Sequence, residues 1–101
     1  MIRHVVLIKF KPEIATDDRM QGLARLQALP EQIDQLHIWS VGMDQMHLPR
    51  SYDLAVVADF TSLDEVRAYR AHPAHVEMAA FMDTLIEHIH SVDFEMQTPL
   101  A

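Results

Sequence analysis

The sequence predicts an α+β fold in which two helices cover one face of a four-stranded antiparallel sheet. Three observations carry this reading. Strand-like and helix-like segments alternate in the order β-α-β-β-α-β, the strand segments are rich in β-branched residues, and a strong helix-start signal at Ser62 divides the third strand from the second helix. Half of the 101 residues are apolar, and no Pro/Gly/Ser-rich linker or internal repeat interrupts them, so residues 1–101 are read as a single domain.

The first strand is IRHVVLIKF, residues 2–10, closed by the turn signal Lys11-Pro12. Thr16 is expected to cap a helix whose first turn carries Asp17 and Asp18, both favourable at the positive end of the helix dipole. Met20, Leu23 and Leu26 continue that helix until Pro30 stops it. Residues 35–44, QLHIWSVGMD, give the second strand, a polar loop with Pro49 follows, and residues 52–60 give the third. Ser62-Leu63-Asp64-Glu65 then matches a capping box: the serine accepts from the amide three residues on, and the glutamate reaches back. Pro73 removes a helical hydrogen bond and pushes His72 out of helical geometry, so the second helix must break or kink there. Met78, Phe81, Leu85 and Ile89 recur at helical spacing beyond it, and residues 89–96 form the last strand before a short polar tail. This order is the ferredoxin-like split pattern.

The strands raise a question of cover. His4, Val6, Ile8 and Phe10 share one face of the first strand, while Val5 and Leu7 occupy the other. In the third strand Tyr52, Leu54, Val56, Ala58 and Phe60 oppose Ala55 and Val57, which stand between Asp53 and Asp59. An antiparallel sheet open to water on one side normally shows a polar face there. Neither face is polar enough, and the helices can cover only one. A second copy of the sheet is the economical cover, so the expected partner is the chain itself, as a homodimer with its sheets packed face to face into a barrel-like unit.

Composition limits the function. A net charge of −7 with scattered basic residues argues against sequence-independent nucleic-acid binding. With no cysteine there is no disulfide, thiolate zinc site or thiol nucleophile. The start MIRHVVLIKF lacks the apolar length and small-residue cleavage site of a signal peptide, and no stretch approaches the roughly 20 apolar residues of a membrane span, so the expected location is the cytoplasm. Only Gly22 and Gly42 occur, which excludes a glycine-rich phosphate loop or a dinucleotide fingerprint, and no cofactor is expected.

The stretch AYRAHPAHVEM, residues 68–78, holds the candidate chemistry. Histidine takes protons near neutral pH, and a tyrosine hydroxyl can donate to a carbonyl oxygen as charge develops on it. Tyr69 and His75 flank the Pro73 break, and together they have the means for enolisation and aldol closure. The bland alternative makes Tyr69 a half-buried helix residue and His75 a helix-start histidine bonded locally. His72, directly before Pro73, is read first as structural, its imidazole bonded to nearby backbone. A metal site built from His72, His75 and Glu77 or His4 is disfavoured because the proline spoils the helical alignment and no HExxH pattern is present. His88 and His90 are expected at the surface. Met20, Met43, Met78, Met82 and Met96 suit an adaptable core or pocket wall, and Trp39 is assigned to a cavity or, preferably, to the dimer interface.

The opening MIRHVVLIKFKPEI, the segment SYDLAVVADFTSLDEVRAY, HPAHVEM and the close VDFE together resemble the stress-responsive dimeric α/β-barrel family, Dabb. The match covers nearly the whole chain, and HPAH after a tyrosine in a capped helix is its most specific element. The resemblance implies a ferredoxin-like fold and a barrel-forming dimer. It also implies a chemistry, since a plant member is a polyketide cyclase that closes a ring by aldol condensation without cofactor. By motif, its catalytic tyrosine and histidine fall on Tyr69 and His75, and a pocket histidine of its first strand falls on His4. A further pocket histidine is not reproduced, for Leu54 stands at its place. The expectation is thus a pocket for a small apolar or aromatic carbonyl compound, with Tyr69 and His75 catalytic and His4, Val6, Leu54 and His72 as binding residues. Alternatives are a non-catalytic stress-related dimer and a cofactor-independent monooxygenase of the related barrel type.

Overall fold

The computed structural model describes residues 1–97; the last residues of the expected polar tail lie outside them. Strand β1 (Ile2–Phe10) leads to helix α1 (Thr16–Ala28), a short 3-10 turn at Leu29–Glu31, strand β2 (Ile38–Met43) and strand β3 (Leu54–Phe60). Helices α2 (Leu63–Ala71) and α3 (Pro73–Asp83) follow, and strand β4 (Ile86–Glu95) completes an antiparallel sheet in the order β2-β3-β1-β4. The ferredoxin-like α+β fold is therefore present, with the second helix in two pieces.

Local chemistry explains most boundaries. The Ser62 side chain accepts from the Glu65 amide, and Glu65 returns the bond to the Thr61 amide and hydroxyl. Helix α1 departs from expectation: Thr16 is its first helical residue rather than its cap, and Ala15 precedes it without any side-chain bond. The second strand starts at Ile38 instead of residue 35, because the chain leaving the 3-10 turn is still turning, with the Leu36 amide bonded to the Ile33 carbonyl. The third starts at Leu54 rather than 52. Asp53 sits just outside the strand, where its carboxylate accepts from the Phe10 amide and faces Lys9 and Arg19.

At the other end α3 stops at Asp83, so Leu85 and Ile89 are not helical, and β4 begins at Ile86 instead of 89. The Thr84 hydroxyl donates to the Phe81 carbonyl and the Leu85 carbonyl accepts from the Lys11 amide, which turns the chain into the sheet. A register shift between Lys9 and Phe10 lets Ile86 pair with Phe10.

Two adjoining apolar clusters form the core under the helices. One joins Ile8, Phe10, Leu23, Leu26, Leu54, Val56, Met82 and Leu85; the other joins Ile2, Leu29, Ile33, Ala58, Phe60, Val66 and Tyr69. A Cβ on Gly22 would approach the Met82 sulfur to 3.1 Å and a Leu85 methyl to 3.2 Å, so glycine lets α1 lie close to α3.

Among the described residues, nothing covers the opposite sheet face. Leu7, Ile38, Val92 and Phe94 all remain exposed on it, with Val92 53% accessible. Arg3 and Asp59, direct partners in the β1–β3 register, form a two-pronged ion pair at 2.8 and 2.9 Å on the same face. Arg3 holds the Asp59 carboxyl below its ordinary range. Trp39 is not part of this face. It turns towards the helices, where its indole donates to the Leu26 carbonyl at 2.9 Å, which corrects its assignment to the interface. Met20 is likewise exposed rather than a core methionine.

Candidate functional site

A cavity of about 340 Å³ opens between the helix-facing side of the sheet and α3. Its apolar wall comes from Val6 and Ile8 on β1, Val56 on β3, Leu26 on α1, and Met78 and Met82 on α3. His4, Tyr69 and His75 enter the same cavity, with Arg70, Asp83, Ser91 and Asp93 around it.

The helix break aims the two principal groups. His72 is extended (φ −61°, ψ 134°), and its Nδ1 accepts from the Ala74 amide, so it caps α3 with Pro73 as the first helical residue. Tyr69 lies in the last turn of α2 and His75 in the first turn of α3. Their rings meet edge-on with centroids 4.6 Å apart. Tyr69 is 3% exposed and also contacts the rings of His4 at 6.0 Å, Trp39 at 6.1 Å and Phe60 at 5.1 Å.

Hydrogen bonds fix what each group can do. His75 Nδ1 lies 3.1 Å from the Arg70 carbonyl oxygen. A carbonyl only accepts, so Nδ1 carries the hydrogen and the lone pair belongs to Nε2. Burial lowers the His75 pKa, with the Arg70 bond opposing that shift in part and the nearby Arg70 charge adding to it. The imidazole is therefore neutral at neutral pH, with Nε2 as a proton acceptor. Burial has the reverse effect on Tyr69 and pushes the phenol well above its ordinary value, so the hydroxyl stays protonated as a donor.

His4 is 7% exposed and pairs with Asp93, its direct neighbour across the β1–β4 register. Asp93 Oδ1 sits 2.5 Å from His4 Nδ1. The carboxylate accepts a hydrogen bond from Nδ1–H, which fixes the tautomer and leaves Nε2 directed away from Asp93. Asp93 was missed by sequence reasoning. Strand alternation puts Asp93 on the opposite face from Val92 and Phe94, but no local signal says which face meets the helices; the β1–β4 register decides it.

Of the six residues expected at the site, the structure brings His4, Val6, Tyr69 and His75 around the cavity. Leu54 is elsewhere. It is 2% exposed in the core beside Ile8 and Phe10, and it contributes to a separate shallow hollow on the open face with Leu7, Gly42 and Tyr52. His72 also lies outside the cavity wall, its Nδ1 occupied in the cap. His88 and His90 are exposed, and the His90 ring lies against Tyr52. Among the described residues, no group of three or more His, Asp or Glu is placed to hold a metal ion.

The family model described as the stress responsive A/B barrel domain, Dabb, matches residues 2–96. The chain belongs to this family. A Dabb relative from Arabidopsis thaliana, a stress-response A/B barrel domain-containing protein, is 32% identical over 95 residues, covering 91% of this chain and 83% of that protein. The crystal structure of a dimeric ferredoxin-like protein of unknown function from Thermobifida fusca superposes with a TM-score of 0.85 at 32% identity, covering 94% of this chain and 90% of that one. A hydroxynitrile lyase from Passiflora edulis has the same fold, with a TM-score of 0.85 at 17% identity over 99% of this chain and 96% of its own. No helix among the described residues of the Dabb chain is long and apolar enough to cross a membrane.

Proposed function

We propose that this Dabb protein binds a small apolar or aromatic carbonyl compound in the α3 cavity and moves a proton on it without a cofactor. The observation that supports this most is the convergence on one apolar-walled cavity of a neutral imidazole acceptor, His75, and a protonated phenol, Tyr69. In this reading Tyr69 donates to the carbonyl oxygen, and His75 Nε2 removes a proton from the adjacent carbon. His4, held by Asp93, positions the compound from the sheet side. An enolate formed in this way can close on a second carbonyl in an aldol step, the cyclase-like outcome. The lyase named among the fold neighbours lends the reading only the precedent of an enzyme on this fold.

The working unit we propose is a homodimer through the open sheet faces. Leu7, Ile38, Val92 and Phe94 give that face its apolar character, and the Thermobifida relative is itself described as dimeric.

The His75–Arg70 bond also favours a second reading, in which His75 only ties α3 to the end of α2 and the protein is a non-catalytic, stress-related dimer. Hydrogen–deuterium exchange at carbon separates the two. Aryl methyl ketones and 1,3-diketones are incubated with the protein in D2O, and loss of the α-proton signal is followed by NMR. Faster exchange than in buffer for at least one compound, lost in His75→Ala and Tyr69→Phe, is the expected result. Exchange at the buffer rate for every compound would overturn the catalytic reading.

A further inference from the structure

We infer that Arg70 is a specificity residue, and that the carbonyl compound bound in the cavity carries an acidic group, a carboxylate, that pairs with it. The inference rests on the proposed carbonyl-binding role of the cavity and names the substrate class more narrowly.

Arg70 lies in the last turn of α2, directly after Tyr69, and forms part of the cavity wall. Arg3, Arg19 and Arg67 each have a carboxylate within ion-pair distance; Arg25, Arg50 and Arg70 have none among the described residues, and of these three only Arg70 lines the cavity. Arg70 is solvent-exposed where it lines the cavity, and a guanidinium with no acidic partner there is open to an external anion. Its guanidinium presents a planar fork of donors that matches a carboxylate.

The charge acts on the reacting groups. Arg70 opposes ionisation of His75 and favours ionisation of Tyr69, so it lies near both. Asp83 and Asp93 also belong to the wall, but neither answers Arg70. Asp93 is engaged with His4. Asp83 is eight residues beyond His75 on α3, about 12 Å along the helix axis at 1.5 Å per residue. Arg70 is therefore the one cation of the wall beside Tyr69 and His75 whose charge no described carboxylate answers. A ligand with a carboxylate for Arg70, a carbonyl for Tyr69 and an apolar body reaching Ile8, Leu26 and Met82 suits this lining.

The test uses a matched pair, 4-acetylbenzoate and 4-methylacetophenone, titrated into the protein by calorimetry and NMR. The acid is expected to bind at least about tenfold tighter than the neutral ketone, the scale of one charge-assisted hydrogen bond. That preference should shrink in high salt and in Arg70→Gln, and Arg70→Lys should restore part of it. A structural role for Arg70 would instead weaken both ligands alike. If wild type binds the two equally, the inference about Arg70 fails while the cavity reading stands. If neither ligand binds, both fail together.

Discussion

The rings of Tyr69 and His75 meet edge-on at 4.6 Å across the Pro73 break, although they belong to different helices. An uninterrupted helix would place residues six apart well round the cylinder from one another. The extended His72 resets the path, so the phenol at the end of one helix faces the imidazole at the start of the next. Both then lie against the same cavity.

Tyr69 offers a separation of packing from chemistry. Its ring is core, but its pKa is moved by burial and by the Arg70 charge alone, with no hydrogen bond to a described group contributing. Tyr69→Phe keeps the ring, so melting should stay within about 2 °C of wild type while α-proton exchange is lost. His75→Ala removes one hydrogen bond and should cost about 1 kcal/mol, or roughly 4–8 °C for a domain of this size. Thermal melts alongside the exchange assay check both. A large loss of stability in Tyr69→Phe supports the structural role instead.

Asp93 is expected to act through His4. Asp93→Asn keeps the size of the side chain but replaces an obligatory acceptor with a group that can also donate, so the His4 tautomer is no longer imposed. The variant should fold normally, show a changed His4 side-chain nitrogen spectrum, and exchange more slowly with KM affected more than kcat. An unchanged spectrum and rate would reduce His4 to a wall residue.

The apolar open face predicts the assembly. Sedimentation at micromolar concentration should give a particle of twice the 11.6 kDa chain mass. Leu7→Lys adds a charge beside Val5 and Val92 on that face and should yield monomer with little change in the helix-side core. A wild-type monomer contradicts the argument from two apolar faces.

Residues with a local signature were legible in the sequence, and residues defined by pairing were not. Ser62 and Glu65 announce a helix start because their bonds span only a few positions, and Pro73 announces a break because its effect is covalent. His4 and Asp93 are 89 positions apart, and only the β1–β4 register makes them neighbours. Trp39 was ambiguous for a related reason: strand alternation shows which residues share its face, not which face meets the helices. Leu85 and Ile89 fit a helical repeat, yet the same stretch fits strand alternation from Ile86, and pairing with β1 decides the outcome. The resemblance put Leu54 in the pocket, but its place in β3 carries it into the core beside Ile8.

In the proposed mechanism His75 is a neutral acceptor facing a carbonyl-binding cavity. Long-range proton–nitrogen NMR of the histidine side chains across a pH titration tests it most directly. The expected result is Nδ1 protonated in His75, a His75 pKa below the ordinary value of about 6.5, and a shift of the His75 and His4 Nε2 signals when an aromatic ketone is added. Because the folded-state pKa is depressed, its contribution to stability is full above the unfolded value and is lost as pH falls through the folded one. Exchange activity should follow the same limb, rising with pH to a midpoint below 6.5. An ordinary or raised pKa for His75, with Nε2 signals that ignore every ketone, would rule out His75 as the proton acceptor.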